Sequence, residues 1–444
     1  MSIASAGPTH HPIGTSPRLG EKVFTVLVIL YSTGAFLPIL QGERDPQAGE
    51  WTGALITNAT WIVIYAISLQ LLSRYCKARL VEALKNWMLL SLLGFVLLSI
   101  VWSDAPLLTF LRSASLMGSA LIALYLVLRF STRRLLVLCA WAITIGGVCS
   151  FLLVVLYPSY GMGSGEFADD WLGVYGQKNA LGASMAIGFL VVFLLLKFTK
   201  ARRSLNLAIA GLMLLCIYLS GSMTSLVICL GIPFIFWITR LVVTPSSSRE
   251  LRRLGVLAVA LSALLFAMFH AETILESIGR DPSLTGRVEL WALVLQSIQE
   301  RPILGFGYEA FWRGYEGNAG EIWQKMGQFL FYSHNGLLEV WLGLGVVGVV
   351  LVLACIVLLA RHAYRQACWY FCLETAWPCL FLCYLFLSNL TEVSILRGNT
   401  LPMILFFALL HKMHLDSNLS WSHGIRARAR GFGVISPGQL RKSL

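Results

Sequence analysis

Long apolar runs separated by short polar segments repeat along nearly all of the 444-residue chain. A bilayer-spanning helix requires roughly 20 consecutive, mostly apolar residues, and about twelve of the runs approach that length. We therefore predict an all-α, polytopic membrane protein with about twelve transmembrane helices. The predicted spans are residues 23–40, 52–73, 86–102, 106–129, 134–157, 179–198, 204–220, 223–243, 251–270, 336–360, 368–389 and 398–413.

One long hydrophilic interruption, from about residue 271 to residue 333, breaks this pattern. Within it, Ser283 or Thr285 can cap a short helix that ends near Glu300, before Pro302. The helix is amphipathic, so we expect it to lie on the membrane surface or across the mouth of the bundle. Its predicted apolar face comprises Val288, Trp291, Leu295 and Ile298, widened by Leu290 and Val294.

Composition supports lipid as the solvent of the chain. Charged residues make up 13% of the sequence and hydrophobic residues 57%, whereas an ordinary soluble domain is about 25% charged. No signal-peptidase pattern follows the first apolar run, which we expect to remain as an uncleaved helix. We predict one membrane domain over residues 23–413, a cytoplasmic N-terminal tail at 1–22 and a basic cytoplasmic C-terminal tail at 414–444.

The distribution of Lys and Arg predicts the orientation of this domain. With both termini in the cytoplasm, all but nine of the 34 Lys and Arg residues fall in cytoplasmic segments, as the positive-inside rule requires. The net charge of +12 therefore reflects membrane topology, and we expect no nucleic-acid partner. The nine basic residues left for the outer side or the membrane are Arg44, Arg112, Lys178, Arg280, Arg287, Arg301, Arg313, Lys325 and Arg397.

Helix direction places several of the outer residues beside helix N-termini. In this topology every even-numbered helix starts at the outer face, where its free N–H groups and positive dipole end favour an anion. Lys178 and Asn179 open the sixth predicted helix, His334 and Asn335 open the tenth, and Arg397 opens the twelfth. The pattern therefore makes these residues candidates for binding an anionic substrate.

Arg112 lies inside the fourth predicted span, roughly 9 Å below its start at 1.5 Å per residue. A charge within the membrane is costly unless it is paired or faces a polar cavity, so a functional role is the default interpretation. Asp104, just before this span, is a candidate partner.

Arg287 and His334 are the candidates for chemistry in the long outer loop. A guanidinium can bind a phosphate-bearing, membrane-borne substrate, and an imidazole can accept a proton near pH 7. Each candidate also has an ordinary interpretation. Arg287 can be a surface charge, His334 a packing residue, and Lys178 a side chain that reaches the membrane interface.

Four motifs, taken in order, give the chain a resemblance to a known family. They are Trp-x-Gly-Val-Tyr-Gly-Gln-Lys-Asn-Ala-Leu-Gly from Trp171, Thr-Gly-Arg-x3-Trp from Thr285, Arg-Pro-x-Leu-Gly-x-Gly from Arg301, and Ser-His-Asn-x3-Glu-x2-Leu-Gly from Ser333. With the helix count and the long loop before the tenth helix, they resemble the O-antigen ligase/polymerase family of bacterial envelope glycosyltransferases. That family acts on undecaprenyl-diphosphate-linked glycans. One departure is Glu309, which stands where the family often has a third glycine.

The resemblance implies a multi-pass enzyme of the bacterial inner membrane with its active site on the periplasmic side. It would transfer a glycan from undecaprenyl diphosphate to an acceptor sugar hydroxyl, with inversion and without metal or cofactor. In this interpretation His334 accepts the proton, Arg287 and Lys178 neutralise the diphosphate, and Arg112 holds the lipid-side phosphate or shapes the cavity. The remaining residues expected to bind substrate are Asn179, Asn335 and Arg397.

Two reactions of this family remain open. The Lys178-Asn179 pair is similar to the exopolysaccharide-polymerase branch, and the sequence lacks the large C-terminal external domain of the related protein-glycosylating enzymes. Both features favour polymerisation of exopolysaccharide or O-antigen repeat units. The alternative is an O-antigen ligase that attaches lipid-linked glycan to lipid A core during lipopolysaccharide biosynthesis. Expected partners are the lipid-linked oligosaccharide, the acceptor glycan or lipid A core, the bilayer, and chain-length or export proteins.

Two alternatives of other classes also follow from the sequence. A lipid-linked glycan transporter or flippase would use Arg112 and Glu374 along a polar path across the membrane, but it predicts inverted repeats, and the sequence has no evident repeat. A structural component of an envelope assembly would leave His334 and Arg287 dispensable.

The charge distribution makes a topology prediction. A reporter fused after Lys325 should be periplasmic and one fused after Arg253 should be cytoplasmic, because the basic residues lie so strongly to one side. Paired alkaline phosphatase and fluorescent-protein fusions measure this. If both fusions report the same side, the twelve-helix topology is wrong.

Overall fold

The computed structural model describes residues 16–431, apart from 42–43, 46–49, 52–53, 76, 166–167, 245–285 and 316. The predicted ninth span at 251–270 and the candidate caps Ser283 and Thr285 lie outside the described residues.

The described chain is helical, with one short pair of strands, Arg44–Asp45 and Glu50–Trp51. The helices that precede residue 244 are α1 Leu19–Ser32, α2 Leu37–Gln41, α3 Ala54–Tyr75, α4 Lys77–Ala83, α5 Trp87–Leu98, α6 Pro106–Arg129, α7 Thr132–Leu156, α8 Pro158–Gly161, α9 Lys178–Phe198, α10 Arg203–Leu219 and α11 Met223–Val243. Those that follow residue 286 are α12 Arg287–Glu300, α13 Asn318–Met326, α14 Gly336–Trp369, α15 Leu373–Ser388 and α16 Leu401–Gly431.

These helices confirm an all-α polytopic membrane protein. Among the described residues, six helices are long and apolar enough to cross a membrane: α3, α6, α7, α9, α11 and α14. Three shorter apolar stretches, at Trp87–Trp102, Arg203–Leu219 and Leu373–Ser388, coincide with further predicted spans. The predicted and observed bounds of the fourth, sixth and eighth spans agree to within one residue.

The first predicted span, 23–40, is interrupted. α1 ends at Ser32, and the chain turns through Gly34 and Phe36, both with positive φ, before α2 begins. Phe36 then donates its backbone N–H to the carbonyl of Val174, 2.8 Å away, so the break ties the first helix to the segment before α9. Hydrophobicity does not report this break, because the residues beyond it are also apolar.

Helix α9 is the centre of the bundle. It packs against α7, α10, α11 and α15, and side chains on all its sides are buried, including Leu181, Met185, Leu190 and Leu194. A helix surrounded by protein has no polar face, which explains why the sequence is almost entirely apolar between Asn179 and Lys197. A Cβ at Gly182 would lie 2.6 Å from Ser222 Cβ, so glycine at this position permits the close approach of α11.

The segment 286–335 forms a second, smaller core beside the bundle. Helix α12 packs against α13 and α14, with Leu290, Val294 and Ile298 buried. The buried face of α12 is therefore rotated from the predicted apolar face, because Val288 and Leu295, which were predicted to belong to it, are exposed. Aromatic residues complete this core: Phe306, Phe311, Trp312 and Trp323.

A break in α14 holds the loop after α12. Gly345 has φ 65° and ψ −172°, which interrupts the helix. The freed backbone groups bond to the loop instead: Phe306 N donates to Leu342 O at 3.0 Å, and Val346 N donates to Pro302 O at 2.9 Å. The Arg-Pro-x-Leu-Gly-x-Gly motif is thus a segment that completes the hydrogen bonds of a broken helix. The sequence predicted an uninterrupted helix here.

A buried ion pair fastens α1 to α6 away from the cavity described below. Arg129 Nε donates to Glu21 Oε1 at 2.5 Å and Nη2 donates to Oε2 at 2.7 Å, with side-chain exposures of 1% and 6%. This bidentate geometry compensates the cost of removing both charges from water.

Candidate functional site

The carboxylate of Glu392 collects three of the residues singled out in the sequence. Arg287 Nη2 donates to Glu392 Oε1 at 3.0 Å, and Asn179 Nδ2 donates to the same oxygen at 2.8 Å. His334 Nδ1 lies 3.7 Å from Oε2. The structure therefore brings Arg287, Asn179 and His334 to one side of the bundle, and we call these three and Glu392 the Glu392 cluster.

Each member of the Glu392 cluster sits at the end of a structural element. Arg287 is the first residue of α12, after Gly286 in a left-handed conformation with φ 80°. Asn179 is the second residue of α9. Glu392 lies in the turn between α15 and α16, whose start is shaped by Asn389, since its Oδ1 accepts from the backbone N–H of Ser394 and Ile395.

The Ser-His-Asn motif positions His334 with some backbone strain. His334 has φ 53°, a conformation that disfavours residues with a Cβ. Its ring packs on Tyr332, with centroids 4.3 Å apart, and Nδ1 is buried without a hydrogen bond. A buried imidazole nitrogen facing a carboxylate suits a group whose proton content changes during a reaction.

The neighbours of His334 hold the turn. Ser333 N donates to Glu339 Oε2 at 2.7 Å, while its carbonyl accepts from the indole of Trp291 at 2.9 Å. Asn335 caps α14, and its Oδ1 accepts from the N–H groups of Leu337 and Leu338. The predicted substrate-binding residue Asn335 is thus placed in the support of the site rather than along the cavity wall.

Lys178 is bound to an acid that sequence reasoning missed. Its ammonium lies 2.7 Å from Asp170 Oδ2. Asp170 in turn rests against Gly221, where a Cβ would lie 2.1 Å from its Oδ1. Although Lys178 precedes Asn179 on α9, its ammonium pairs with Asp170.

A second cluster surrounds Glu309 and contains Arg112 and Arg397. Arg112 Nε lies 3.4 Å from Glu309 Oε2, and Arg397 Nη1 lies 3.5 Å from Oε1. Arg112 also donates to the backbone carbonyl of Glu309. The predicted partner of Arg112 was wrong, because Asp104 pairs with Arg301 at 2.7 Å instead. We call Arg112, Arg397 and Glu309 the Glu309 cluster.

Tyr332 contacts one residue of each cluster. The guanidinium of Arg397 lies over the ring of Tyr332, 5.4 Å from its centroid, and the imidazole of His334 packs against the same ring. Burial and the charge of Glu392 raise the pKa of Tyr332, so the phenol remains protonated. Burial alone would lower the pKa of Arg397, but the negative charges of Glu309 and Glu339 outweigh this effect and raise the pKa of Arg397 overall.

Both clusters border one cavity of about 480 Å³. Asn179 and Glu392 line it from the first cluster, and Arg112, Arg397 and Glu309 from the second. It continues along α9 as far as Ile187, roughly 14 Å from the helix start at 1.5 Å per residue. Its wall is rich in hydroxyl groups, and those of serine and threonine belong to Ser32, Thr33, Thr57, Ser115, Ser184, Ser222, Thr224, Ser225, Ser388, Ser394 and Thr400.

The described residues include no group of three or more His, Cys, Asp or Glu side chains placed to hold a metal ion. The charged groups at the cavity are instead guanidinium and carboxylate groups with one imidazole beside them. Such a set can bind an anion, position a hydroxyl group and accept its proton.

Comparison with known proteins agrees with the resemblance in the sequence. Residues 176–353 match the family model described as O-Antigen ligase. The chain is also 25% identical over 275 residues to the exopolysaccharide production protein ExoQ of Rhizobium meliloti (strain 1021). This match covers 58% of the present chain and 60% of ExoQ. The chain is therefore a helical membrane protein that is similar to the O-antigen ligase family over residues 176–353, and it spans about 60% of the length of this relative.

The family match divides the site in an informative way. Asn179, Arg287, His334 and Glu309 fall within residues 176–353, whereas Arg112, Glu392 and Arg397 lie outside them. Glu392 was missed by sequence reasoning, although it lies in the short polar segment that also carries Arg397. Its closeness in sequence to Arg397 was the signal that could have marked Glu392 as a candidate site residue.

Proposed function

We propose that this protein is an inner-membrane glycosyltransferase that moves a glycan from undecaprenyl diphosphate to an acceptor sugar hydroxyl. The observation that carries the proposal is the convergence of Arg287, Asn179 and His334 on Glu392 at a hydroxyl-rich cavity. The family match supports the same chemistry. The active site would face the periplasm, with both termini in the cytoplasm.

The reaction proceeds as one displacement with inversion. The acceptor oxygen forms a bond to the anomeric carbon of the donor sugar while the bond from that carbon to the diphosphate oxygen breaks. The acceptor proton passes to His334, and undecaprenyl diphosphate leaves as an anion. Since His334 Nδ1 faces Glu392 at 3.7 Å, we assign the proton-accepting role to Nε2, and the carboxylate stabilises the imidazolium that forms.

Arg287 neutralises the charge that develops on the leaving diphosphate, and the N-terminal end of α9 adds its dipole there. Lys178 contributes from the same end of α9, although its pairing with Asp170 gives it a smaller part than Arg287. These groups provide the charge compensation that other glycosyltransferases obtain from a divalent cation, so we propose a metal-independent reaction.

Polymerisation of exopolysaccharide or O-antigen repeat units is the preferred reaction. The name of the relative, exopolysaccharide production protein, favours it. Ligation of the glycan to lipid A core is the second candidate, because the family model is described as O-Antigen ligase.

Deletion of the gene distinguishes these two reactions. Loss of long surface chains with single repeat units retained is the result expected for a polymerase. Accumulation of complete lipid-linked polymer without attachment identifies a ligase. Gel electrophoresis and mass spectrometry of surface glycans and of the lipid-linked pool measure both, and an unchanged glycan profile contradicts the proposed function.

Metal independence has a direct test. Purified protein should turn over lipid-linked donor at an unchanged rate in excess chelator, because Arg287 and Lys178 supply the positive charge. The rate of product formation is measured with and without chelator and after magnesium is restored. Activity that is lost with chelator and regained with magnesium refutes this part of the mechanism.

Variants of Arg287 separate charge from shape. Arg287→Lys retains a cation but loses the planar group that can hold two oxygens, and loss of one charge-assisted contact costs about 2–4 kcal/mol in the transition state, roughly a 30- to 1000-fold slower rate. Arg287→Ala should be slower still, and His334→Ala should lose at least as much as Arg287→Lys. Turnover of lipid-linked donor by purified, correctly inserted protein is the measurement.

Arg313→Ala is the matched control for these variants. Arg313 lies in the same loop segment, but its guanidinium donates to the backbone carbonyl of Asp104, outside the cavity lining. Its activity should stay near the parental rate. Parental activity in all four variants excludes the catalytic assignment.

A further inference from the structure

The Glu309 carboxylate stands between two arginines that come from distant parts of the chain. Arg112 projects from α6 and Arg397 from the turn before α16, and both line the cavity together with Glu309. The two carboxylate oxygens face one guanidinium each, at 3.4 and 3.5 Å. This is the arrangement in which two arginines bind the oxygens of a single phosphate group.

The contacts of Glu309 are looser than those of the structural ion pair in the same protein. Arg129 and Glu21 meet at 2.5 and 2.7 Å with almost no exposure. In the Glu309 cluster the distances are about 0.8 Å longer, and the side chains of Arg112, Arg397 and Glu309 remain 20%, 26% and 13% exposed. A carboxylate held at such distances by partly hydrated partners is the more readily exchanged of the two.

The backbone that carries Glu309 is firmly held, so the exchange requires only its side chain to move. Gly307 N donates to Gly343 O at 2.9 Å, and Tyr308 N donates to Ser99 Oγ at 3.1 Å. Arg112 also bonds to the backbone carbonyl of Glu309. That contact does not depend on the carboxylate, and Arg112 therefore keeps its place when the carboxylate turns away.

Glu309 also occupies a backbone conformation that glycine adopts more easily. Its φ is 51°, in the left-handed region where a Cβ is unfavourable by roughly 1–2 kcal/mol. Replacement by glycine would relieve this strain and remove the carboxylate together. The position therefore offers a variant that lacks the charge without an added backbone cost.

We propose that Arg112 and Arg397 form a binding subsite for the lipid-side phosphate of the donor, and that Glu309 is a built-in counter-anion. The carboxylate occupies the subsite in the free protein, turns away when the phosphate enters, and returns as the lipid diphosphate product leaves. The inference rests on the proposed function, since it requires a lipid-diphosphate substrate. It adds that the donor competes with a residue of the protein itself.

The test is direct binding of undecaprenyl diphosphate to the full-length protein in nanodiscs. If Glu309 fills the subsite for about nine-tenths of the time in the free protein, its removal should tighten binding about tenfold. Glu309→Gln and Glu309→Gly should both show this lower Kd, and Arg112→Gln and Arg397→Gln should show a Kd at least about tenfold higher. Undecaprenyl phosphate should follow the same order, whereas undecaprenol should bind all variants equally.

Asp104→Asn is the matched control, because Asp104 is an acid paired with Arg301 at 2.7 Å outside the cavity lining. It should leave the Kd unchanged. Thermal melting of the variants measures the backbone strain at this position separately from the loss of the carboxylate. Glu309→Gly should melt no lower than Glu309→Ala, because alanine keeps a Cβ at φ 51°.

Three results overturn the inference. One is a Kd that is unchanged or higher in Glu309→Gln and Glu309→Gly while the arginine variants lose binding, which would make Glu309 a fixed structural contact. Another is the same dependence on Glu309 for undecaprenol, which carries no phosphate. The third is tighter binding in Asp104→Asn, which would reveal a general charge effect. Failure of the parental protein to bind undecaprenyl diphosphate at all would instead contradict the proposed donor.

Discussion

A cation that faces a cavity within an apolar bundle is costly unless a counter-charge accompanies it. This constraint shapes the site. Arg287 comes with Glu392, Lys178 with Asp170, and Arg112 and Arg397 with Glu309. An anion that entered the cavity would therefore meet Arg112 and Arg397 already paired, and its binding would be an exchange of partners rather than the neutralisation of bare charge.

The same constraint makes acidic residues as important as basic ones. The carboxylate of Glu392 fixes the side chains of Arg287 and Asn179 before any substrate arrives. Groups that are held in advance lose less freedom at the moment of reaction. Backbone hydrogen bonds also hold the neighbouring scaffold. They join α14, at its interruption near Gly345, to the loop at residues 302–307.

The sequence was most informative where physical periodicity or a charge had one interpretation. Apolar length predicted most of the helices, and the intramembrane position of Arg112 predicted a polar cavity around it. It was least informative about pairing across the fold. Asp104 is near Arg112 in the chain, yet Glu309, 197 residues away, is its partner, because the partner is chosen by how the helices pack.

Breaks in helices were also missed. The turn after Ser32 and the interruption at Gly345 lie in apolar runs, and their glycines leave the hydropathy unchanged. Both breaks are specified by hydrogen bonds to other segments, at Val174 and at Pro302. Single-sequence patterns record local preference, whereas these features arise only once the bundle has assembled.

Contacts between remote segments also set the order in which the site can come into being. Asn179 and Glu392 are 213 residues apart, and Glu392 lies between the last two described helices. During synthesis, Asn179, Arg287 and His334 all leave the ribosome before their common carboxylate exists. The Glu392 cluster can therefore form only after the segment between α15 and α16 has been made, and a chain that ends before this segment can insert without completing the cluster.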